Sequence, residues 1–557
     1  MHIRTRAVVL FSLAAVLILA SFVADRLGAP PDATAAFILV LSTLCLGVSG
    51  LSLATMRMSL FQVAGHNLSL PVVVAVLAVV ALGLSAASGI RPPGLDPAVL
   101  LAASAACLVH ALLAAAPLSR AGGYSFGDVI HVRFGSRLIA ILVALTGLAA
   151  SAAVVLVIGQ RAVAGLAEAT GLARPSAAVL VAGLACVIAL PGGARSIAAA
   201  CVVALLLALA GWLLPSLSLL AEPGVARGDL VMRAADGLFG GVLPSLAGLG
   251  WVLAMLGLLT CLHVPAMIRD PVQARRAHAA AVLVLIAAGV LAALVQTSLG
   301  DTTARLGRLP ADRLPTSLFG EDARGLVTFC DGVARSPDEV RRACALGTTG
   351  EPVPPGRLNI RHPEGGRWLS LVLRLPVAVG TVFDLALPML LIAALALLAH
   401  LVARCIVHDV LYRLTRRTGT SSGRLALQRL VTAALLLGVT LPSLAVIRPE
   451  GPLGHLILFM LASVPWPLAL LAKWPRADAR AALCGLASAA MAGTAAGFGY
   501  LTGAEGFAAG ALASLSAGAL AALLFPARNT GQSEESRRAA AVLSGDAPGP
   551  LVLDTSA

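Results

Sequence analysis

Apolar runs of membrane-spanning length recur along this chain, each closed off by Arg, Gly, Pro or Asp. They fall near 8–26, 35–54, 70–90, 98–118, 138–160, 176–191, 196–220, 240–264, 278–298, 385–410, 425–446, 454–472, 482–502 and 506–525. A helix needs roughly 20 predominantly apolar residues to cross a bilayer. The pattern therefore predicts an all-α polytopic membrane protein with about fourteen transmembrane helices. The first run has the basic start and apolar middle of a signal peptide, but no clear small-residue cleavage site follows it, and we read it as a retained helix.

Residues 300–371 form the one sizeable polar segment. Within it Ser336-Pro337-Asp338-Glu339 has the makings of a helix start: a Ser cap, Pro at the first helical position, acids in the first turn. The tail 528–557 is polar and rich in Ser and Gly, and we expect it to be disordered.

Composition agrees with the pattern. The chain is 59% apolar and 12% charged, against about 45–50% and about 25% in soluble domains. That excludes a water-soluble enzyme, a disordered chain and a fibrous protein. The net charge of +13 rests on 39 Arg and one Lys, which lie between apolar runs rather than on one face. Basic loops orient membrane helices, so the charge points to a lipid bilayer and not to nucleic acid. With the N-terminus inside and fourteen helices alternating, the short inner segments hold twenty basic residues. The short outer ones hold six: Arg26, Arg91, Arg174, Arg227, Arg233 and Arg448. Both termini are therefore expected in the cytoplasm of a bacterial-type inner membrane, with the polar loop outside. In an oxidising compartment Cys330 and Cys344 would pair as a disulfide; the alternative is two free thiols in a mobile loop. No C-x-x-C, H-E-x-x-H or G-x-x-x-x-G-K-[ST] occurs, so the expectation is no enzyme and no cofactor.

Irregular backbone at membrane depth is tolerated where it lines a cavity, and many transporters place their site in two broken helices that open inverted repeats. The third run carries Gly83-Leu84-Ser85-Ala86-Ala87-Ser88-Gly89. Five runs later the eighth opens Gly240-Gly241-Val242-Leu243-Pro244-Ser245. That offset suits a five-plus-five inverted repeat, with breaks at 83–89 and 240–250.

Further motifs, in order, strengthen this. Gln62-Val63-Ala64-Gly65-His66 followed by Ser85-Ala86-Ala87-Ser88 resembles the "AGR…SAAS" of the sodium:solute symporter family. Gly123-Tyr124-Ser125-Phe126-Gly127-Asp128 and Arg133-Phe134-Gly135-Ser136-Arg137 are similar to its "GxYTxxD…RFxSR". Gly192-Gly193-Ala194-Arg195-Ser196 is similar to its "GGMRS". Leu262-His263-Val264 with Arg275-Arg276 resembles the "PHVLMR…AR" of its acetate-permease branch, and His408-Asp409-Val410-Leu411-Tyr412 resembles "HDLY". The matches span some 350 residues, about 62 to 412.

The resemblance implies a leucine-transporter-like core. Residues 1–69 would hold two N-terminal helices and a linker, 70–220 the first repeat, and 221–299 the start of the second. Its remainder would follow the loop over 372–472, with C-terminal helices at 473–527. The resemblance also implies a cation-coupled symporter of a small organic solute, with a monocarboxylate such as acetate as first guess. The cation and substrate region then falls on Ala81, Leu84, Ser85, Ser88, Ser245, Ala393 and Ala394. Here the sequence departs from the family. Leu82 stands where an acidic residue is frequent, and Ala393 and Ala394 replace paired hydroxyls. A Na+ site is thereby weakened, leaving H+ or Na+ open as coupling ion. The same departures motivate the alternative, a transport-incompetent homologue acting as a sensor or accessory subunit with a small membrane partner subunit.

A charge at the bilayer centre costs about 2.5–3.5 kcal/mol on insertion scales. His400 is read as a proton carrier or a packing residue, and Arg404 as snorkelling to the cytoplasmic surface. Arg161 would attract an anion or pair with Glu168. Asp384 is read as interfacial, and His263 as a family position on the cytoplasmic side.

Overall fold

The computed structural model describes residues 31–88, 95–221, 227–239, 246–306, 308–319, 327–330, 333–344, 369–371, 376–412, 421–440, 463–497, 503–524 and 533–547, with a few isolated positions besides. Twelve of the fourteen apolar runs coincide with apolar helices. Seven of these helices are long enough to cross a bilayer alone, one more is a pair bent by 57°, and four are shorter. Run 8–26 lies largely outside the described residues, and run 454–472 is described mainly from 463 onward, where it ends in a short helix over Pro465–Lys473.

The first long helices are α1 (Pro31–Leu51), the short α2 (Met58–Val63) and α3 (Leu70–Ser88). Then come α4 (Pro97–Leu113), α5 (Ala115–Ala121), α6 (Phe126–Phe134), α7 (Arg137–Thr170), α8 (Arg174–Ala189) and α9 (Ala194–Ala221). The sharp turns between them have local causes. Ser125 and Asp128 form a capping box on α6, and Gly135 (φ 64°) ends it in the left-handed conformation that glycine adopts without strain. Ser136 then caps α7.

After α10 (Arg227–Phe239) the chain continues through α11 (Leu246–Leu262) and α12 (Pro271–Leu306). The loop beyond α12 holds β1 (Val327–Phe329), α13 (Pro337–Ala343) and β2 (Leu358–Ile360), with β1 and β2 antiparallel. Ser336 caps α13, and Cys330 and Cys344 form a disulfide with Cα atoms 5.4 Å apart. Next are α14 (Val377–Arg404), running into a π-helical turn over Cys405–Leu411, then α15 (Ser421–Thr440), α16 (Pro465–Lys473), α17 (Ala479–Gly497) and α18 (Gly503–Leu524).

The core is organised around α14. Every residue from Leu385 to Arg404 of α14 is buried in protein, whereas the most apolar stretches of α7 and α12 leave more than half of their residues outward. Glycines let the neighbours close on it. A methyl placed on Gly211 of α9 would stand 2.7 Å from Ala386 Cβ and 3.1 Å from the Val382 carbonyl. One on Gly83 of α3 would stand 2.9 Å from Ala394 Cβ. Between lipid-embedded helices close van der Waals packing replaces the hydrophobic drive, so small residues mark the tightest seams.

Two expectations need correction. The break placed at 83–89 is absent from 83–88, because α3 is helical through Ser88; Gly89 lies outside the described residues. Gly83 serves close packing against α14 rather than unwinding. The Ser85 hydroxyl donates to the Asp96 carbonyl at 2.8 Å while the Asp96 N–H donates to the Ser85 carbonyl at 3.0 Å, tying the end of α3 to the start of α4. Residues 240–245 of the second break lie outside the described residues, and α11 is helical from Leu246. The tail is also not disordered throughout. Residues Glu534–Ser544 form α19, capped by Ser533 with two acids in its first turn. It buries Ala539, Ala540, Val542 and Leu543 and packs on α5, α6 and α16.

The packing account makes a paired prediction. Gly211→Ala should lower the unfolding free energy by about 1–3 kcal/mol, the usual cost of overpacking. Gly183→Ala, where an added methyl meets nothing within 4 Å, should be neutral or slightly stabilising. Unfolding of the purified chain in detergent compares the two, and equal effects would contradict the glycine-seam account.

Candidate functional site

The residues named for a cation and substrate region do come together in part. Gly83, between Ala81 and Ser85, contacts Ala394 across the α3–α14 seam. Ala81, Leu82, Ser85, Ala393 and Ala394 are all buried, and Leu84 is half-buried. The surroundings are hydrocarbon. A small void beside Ala81 is walled by Val80, Ala103, Cys107, Met255 and Leu258. Transporters use unwound backbone carbonyls to coordinate their ions. Here Ala81 and Leu84 lie inside a continuous helix, where carbonyls accept from the N–H four residues on. The Ser88 backbone is helical. Ser245 lies outside the described residues.

The other motifs converge at one end of the bundle, opposite the disulfide, and interlock. Asp128 accepts the Tyr124 and Ser125 N–H groups on Oδ2 (2.9 and 3.2 Å), and both its oxygens lie 3.1 Å from His408 Nε2. The Ser125 hydroxyl donates to Asp409 Oδ1 at 2.5 Å. A methyl on Gly127 would stand 2.7 Å from that same oxygen and would push the Asp409 carboxylate away. Asp128, His408 and Asp409 bring possible ligand atoms within 4.8 Å of one another, a set able to hold a divalent cation. In this structure those atoms satisfy the backbone and each other.

A second interlock joins the linker before α3 to the turn after α11. Ala64, His66 and His263 all adopt left-handed backbone (φ 54°, 57° and 55°), rare for residues with a Cβ. The Leu68 N–H donates to the Met267 carbonyl at 3.0 Å, His66 Nδ1 to the Ala266 carbonyl at 2.5 Å, and His263 Nε2 to the Gly122 carbonyl at 2.9 Å. The Gly192-Gly193 turn closes on the same linker, since a methyl on Gly193 would strike the Phe61 carbonyl.

Sequence reasoning missed three strong contributors here. Gln62 and Gln428, 366 residues apart and both fully buried, exchange side-chain hydrogen bonds in both directions. Next to them Arg429 donates from Nη2 to the Thr55 and Pro191 carbonyls (2.6 and 3.0 Å) and lies over the Phe61 ring. Arg133, fully buried, is caged by oxygens: Nε on Ala472, Nη2 on Trp474 and Ala477, all at 2.8 Å, and Nη1 on Ser536 Oγ at 3.3 Å. Burial pulls its pKa down to about 10, with Asp478 pulling the other way, so it stays charged at neutral pH. A polar Gln in an apolar stretch was the available signal; its partner was not.

The weighed charges resolve individually. Arg404 does not snorkel: it is 2% exposed, and its Nη2 donates to the Cys261 and Leu262 carbonyls (3.2 and 3.3 Å) at the C-terminus of α11. Cations are favoured at that pole of a helix. His400 is buried, packs edge-on against Phe61 at 5.1 Å, and makes no well-formed hydrogen bond from its ring nitrogens. Arg161 and Asp384 are half-buried and engaged in polar interactions, whereas Glu168 is exposed.

No protein-family model and no curated protein matches this sequence. Solved structures do match in shape. A Na+-coupled sialic acid symporter in a substrate-bound, outward-open state superposes with a TM-score of 0.64 at 14% identity, covering 90% of this chain and 99% of that one. The chain has that symporter's fold. A manganese transporter of Eremococcus coleocola aligns at 15% identity over 85% of this chain and 90% of that one, with a TM-score of 0.40, too low to carry an argument. The symporter's fold and the apolar helices make this a multi-pass membrane protein.

The buried amide pair gives a double-mutant test. Gln62→Leu alone strands the Gln428 amide and should cost about 1–3 kcal/mol. Gln62→Leu with Gln428→Leu should recover most of that loss. Thermal unfolding of the four variants in detergent reads the coupling; additive losses would show that the pair does not act as a unit.

Proposed function

We propose that this chain is a secondary active transporter that carries a small organic solute across a bacterial-type inner membrane by alternating access. The observation that carries the reading is the fold: nearly the whole of a symporter's architecture is matched by nine-tenths of this chain. On this reading α3 and α11 open two inverted five-helix repeats, and the interlocked motif end and both termini face the cytoplasm. The resemblance of its motifs favours a small monocarboxylate such as acetate as the first solute to try.

Protons rather than Na+ are proposed as the driving ion. The support is chemical. The α3–α14 seam offers Leu82, Ala393 and Ala394 where oxygen ligands would be needed, and Gly83 lies against Ala394. His400 lies six residues beyond Ala394 on α14, about 9 Å along the helix axis. It is the proposed proton carrier, a titratable imidazole at that depth of the helix. The dry seam also favours one second reading, a transport-incompetent homologue that senses or assists through a small membrane partner subunit.

Proteoliposome uptake of labelled acetate and related acids, with Na+ and proton gradients imposed separately, tests both. The first reading expects uptake driven by the proton gradient, and His400→Ala abolishing that drive while leaving solute exchange. Uptake that follows Na+ at constant pH refutes proton coupling. Uptake of none of the acids under either gradient moves the assignment to the second reading.

A further inference from the structure

Away from the α3–α14 seam, a group of buried histidines takes no part in the proposed function. His110 lies in the last turn of α4, and His278 two turns into α12. Their rings stack at 4.7 Å between centroids and 18° between planes, and the indole of Trp466 on α16 lies 6.1 Å from His110. Both side chains are fully buried. His263, also fully buried, is the third of the group and acts electrostatically on His110.

The hydrogen bonds fix where basic nitrogens are left over. His278 Nδ1 lies 2.9 Å from the Ala274 carbonyl, so Nδ1 carries the hydrogen and Nε2 is a lone pair, without a partner. His263 Nε2 donates to the Gly122 carbonyl, which leaves Nδ1 as an unpartnered lone pair. His110 has no partner on either nitrogen, so in its neutral form one is a bare acceptor. Three buried imidazoles thus each present a basic nitrogen that nothing in the described structure satisfies.

No counter-charge stands ready. Among the described residues His278 and His263 act electrostatically on His110, and no carboxylate acts on either ring of the stack; of the three histidines, Asp128 and Arg404 act on His263 alone. On α4, Cys107 precedes His110 by one turn. At the rim, Lys473 donates to the Leu113 carbonyl at 2.8 Å, with Arg120 and Arg275 close enough to repel it. The nearest acids on α10, Asp229 and Asp236, belong to the far end, where Arg233 pairs with Asp301 of α12. A proton added to the closed stack would place a cation in an apolar enclosure beside other cations.

We propose that the His110–His278 stack is a proton-sensitive clasp holding the motif end of α4 to α12. While both rings are neutral they pack flat and close the seam. Protonation is compatible only with an opened seam, where water reaches the ring, so acid draws the two helix ends apart. The clasp does not depend on the chain being a transporter. If the motif end is cytoplasmic, the clasp reports cytoplasmic acidification.

Hydrogen–deuterium exchange of the full chain in nanodiscs, from about pH 7.5 to about pH 5.5, tests it, with protection corrected for the intrinsic pH dependence of exchange. Peptides covering 105–113 and 274–284 should lose protection below about pH 6.5, up to tenfold per pH unit for each proton taken up. Peptides from α8, which contains no histidine, should hold theirs. His278→Gln and His110→Gln, which keep a neutral polar side chain, should each flatten the response. A flat wild-type profile at α4 and α12 overturns the proposal whether or not the variants fold. A response of unchanged steepness in both variants overturns it too.

Discussion

Everything in this molecule leans on the burial of α14. A helix buried at every residue from Leu385 to Arg404, in a medium that supplies no hydrophobic drive between helices, must be held by close van der Waals contact. Glycines on α3 and α9 permit that contact at Ala394, Ala386 and the Val382 backbone. The same closeness has a chemical consequence. A seam tight enough to bring Gly83 against Ala394 is lined by hydrocarbon, at the level where the sequence resemblance had pointed to ion coordination. Packing and site chemistry are one constraint seen twice.

The ends of the bundle follow a different rule. Segments there cannot hide backbone polar groups in helices, so side chains must satisfy them. Arg133 gathers three carbonyls and a hydroxyl, Arg404 caps α11, Arg429 ties Thr55 to Pro191, and Asp128 serves two backbone N–H groups and His408. The motifs that looked like site signatures act here as fasteners. Their spacing reflects which loops must meet.

How much of this the sequence carried depends on the range of the interaction. Apolar runs located the spanning helices because length and hydropathy are local properties, and the all-α polytopic class follows from them directly. The caps at Ser125, Ser136 and Ser336 are local too. Gly83 was misread because a weak helix former has two uses in a membrane, breaking a helix or letting another approach, and only the neighbour Ala394 decides between them. Arg404 was misread because its reach to the surface is local information, while the free carbonyls of α11 are not. The Gln62–Gln428 pair, 366 residues apart, left no local trace of its partner. For α19 the polar composition of the tail pointed to disorder; its apolar face became meaningful only against α5 and α6.

The claim on which the proposed coupling rests is that the α3–α14 seam holds no Na+. The most direct measurement is the thermal unfolding of the purified chain as K+ is replaced by Na+ at constant ionic strength and pH. A ligand that binds only the folded state raises stability by RT ln(1 + [L]/Kd). The account predicts a midpoint that does not move. A midpoint that climbs with the logarithm of the Na+ concentration, and stops climbing in Gly83→Leu, would contradict it.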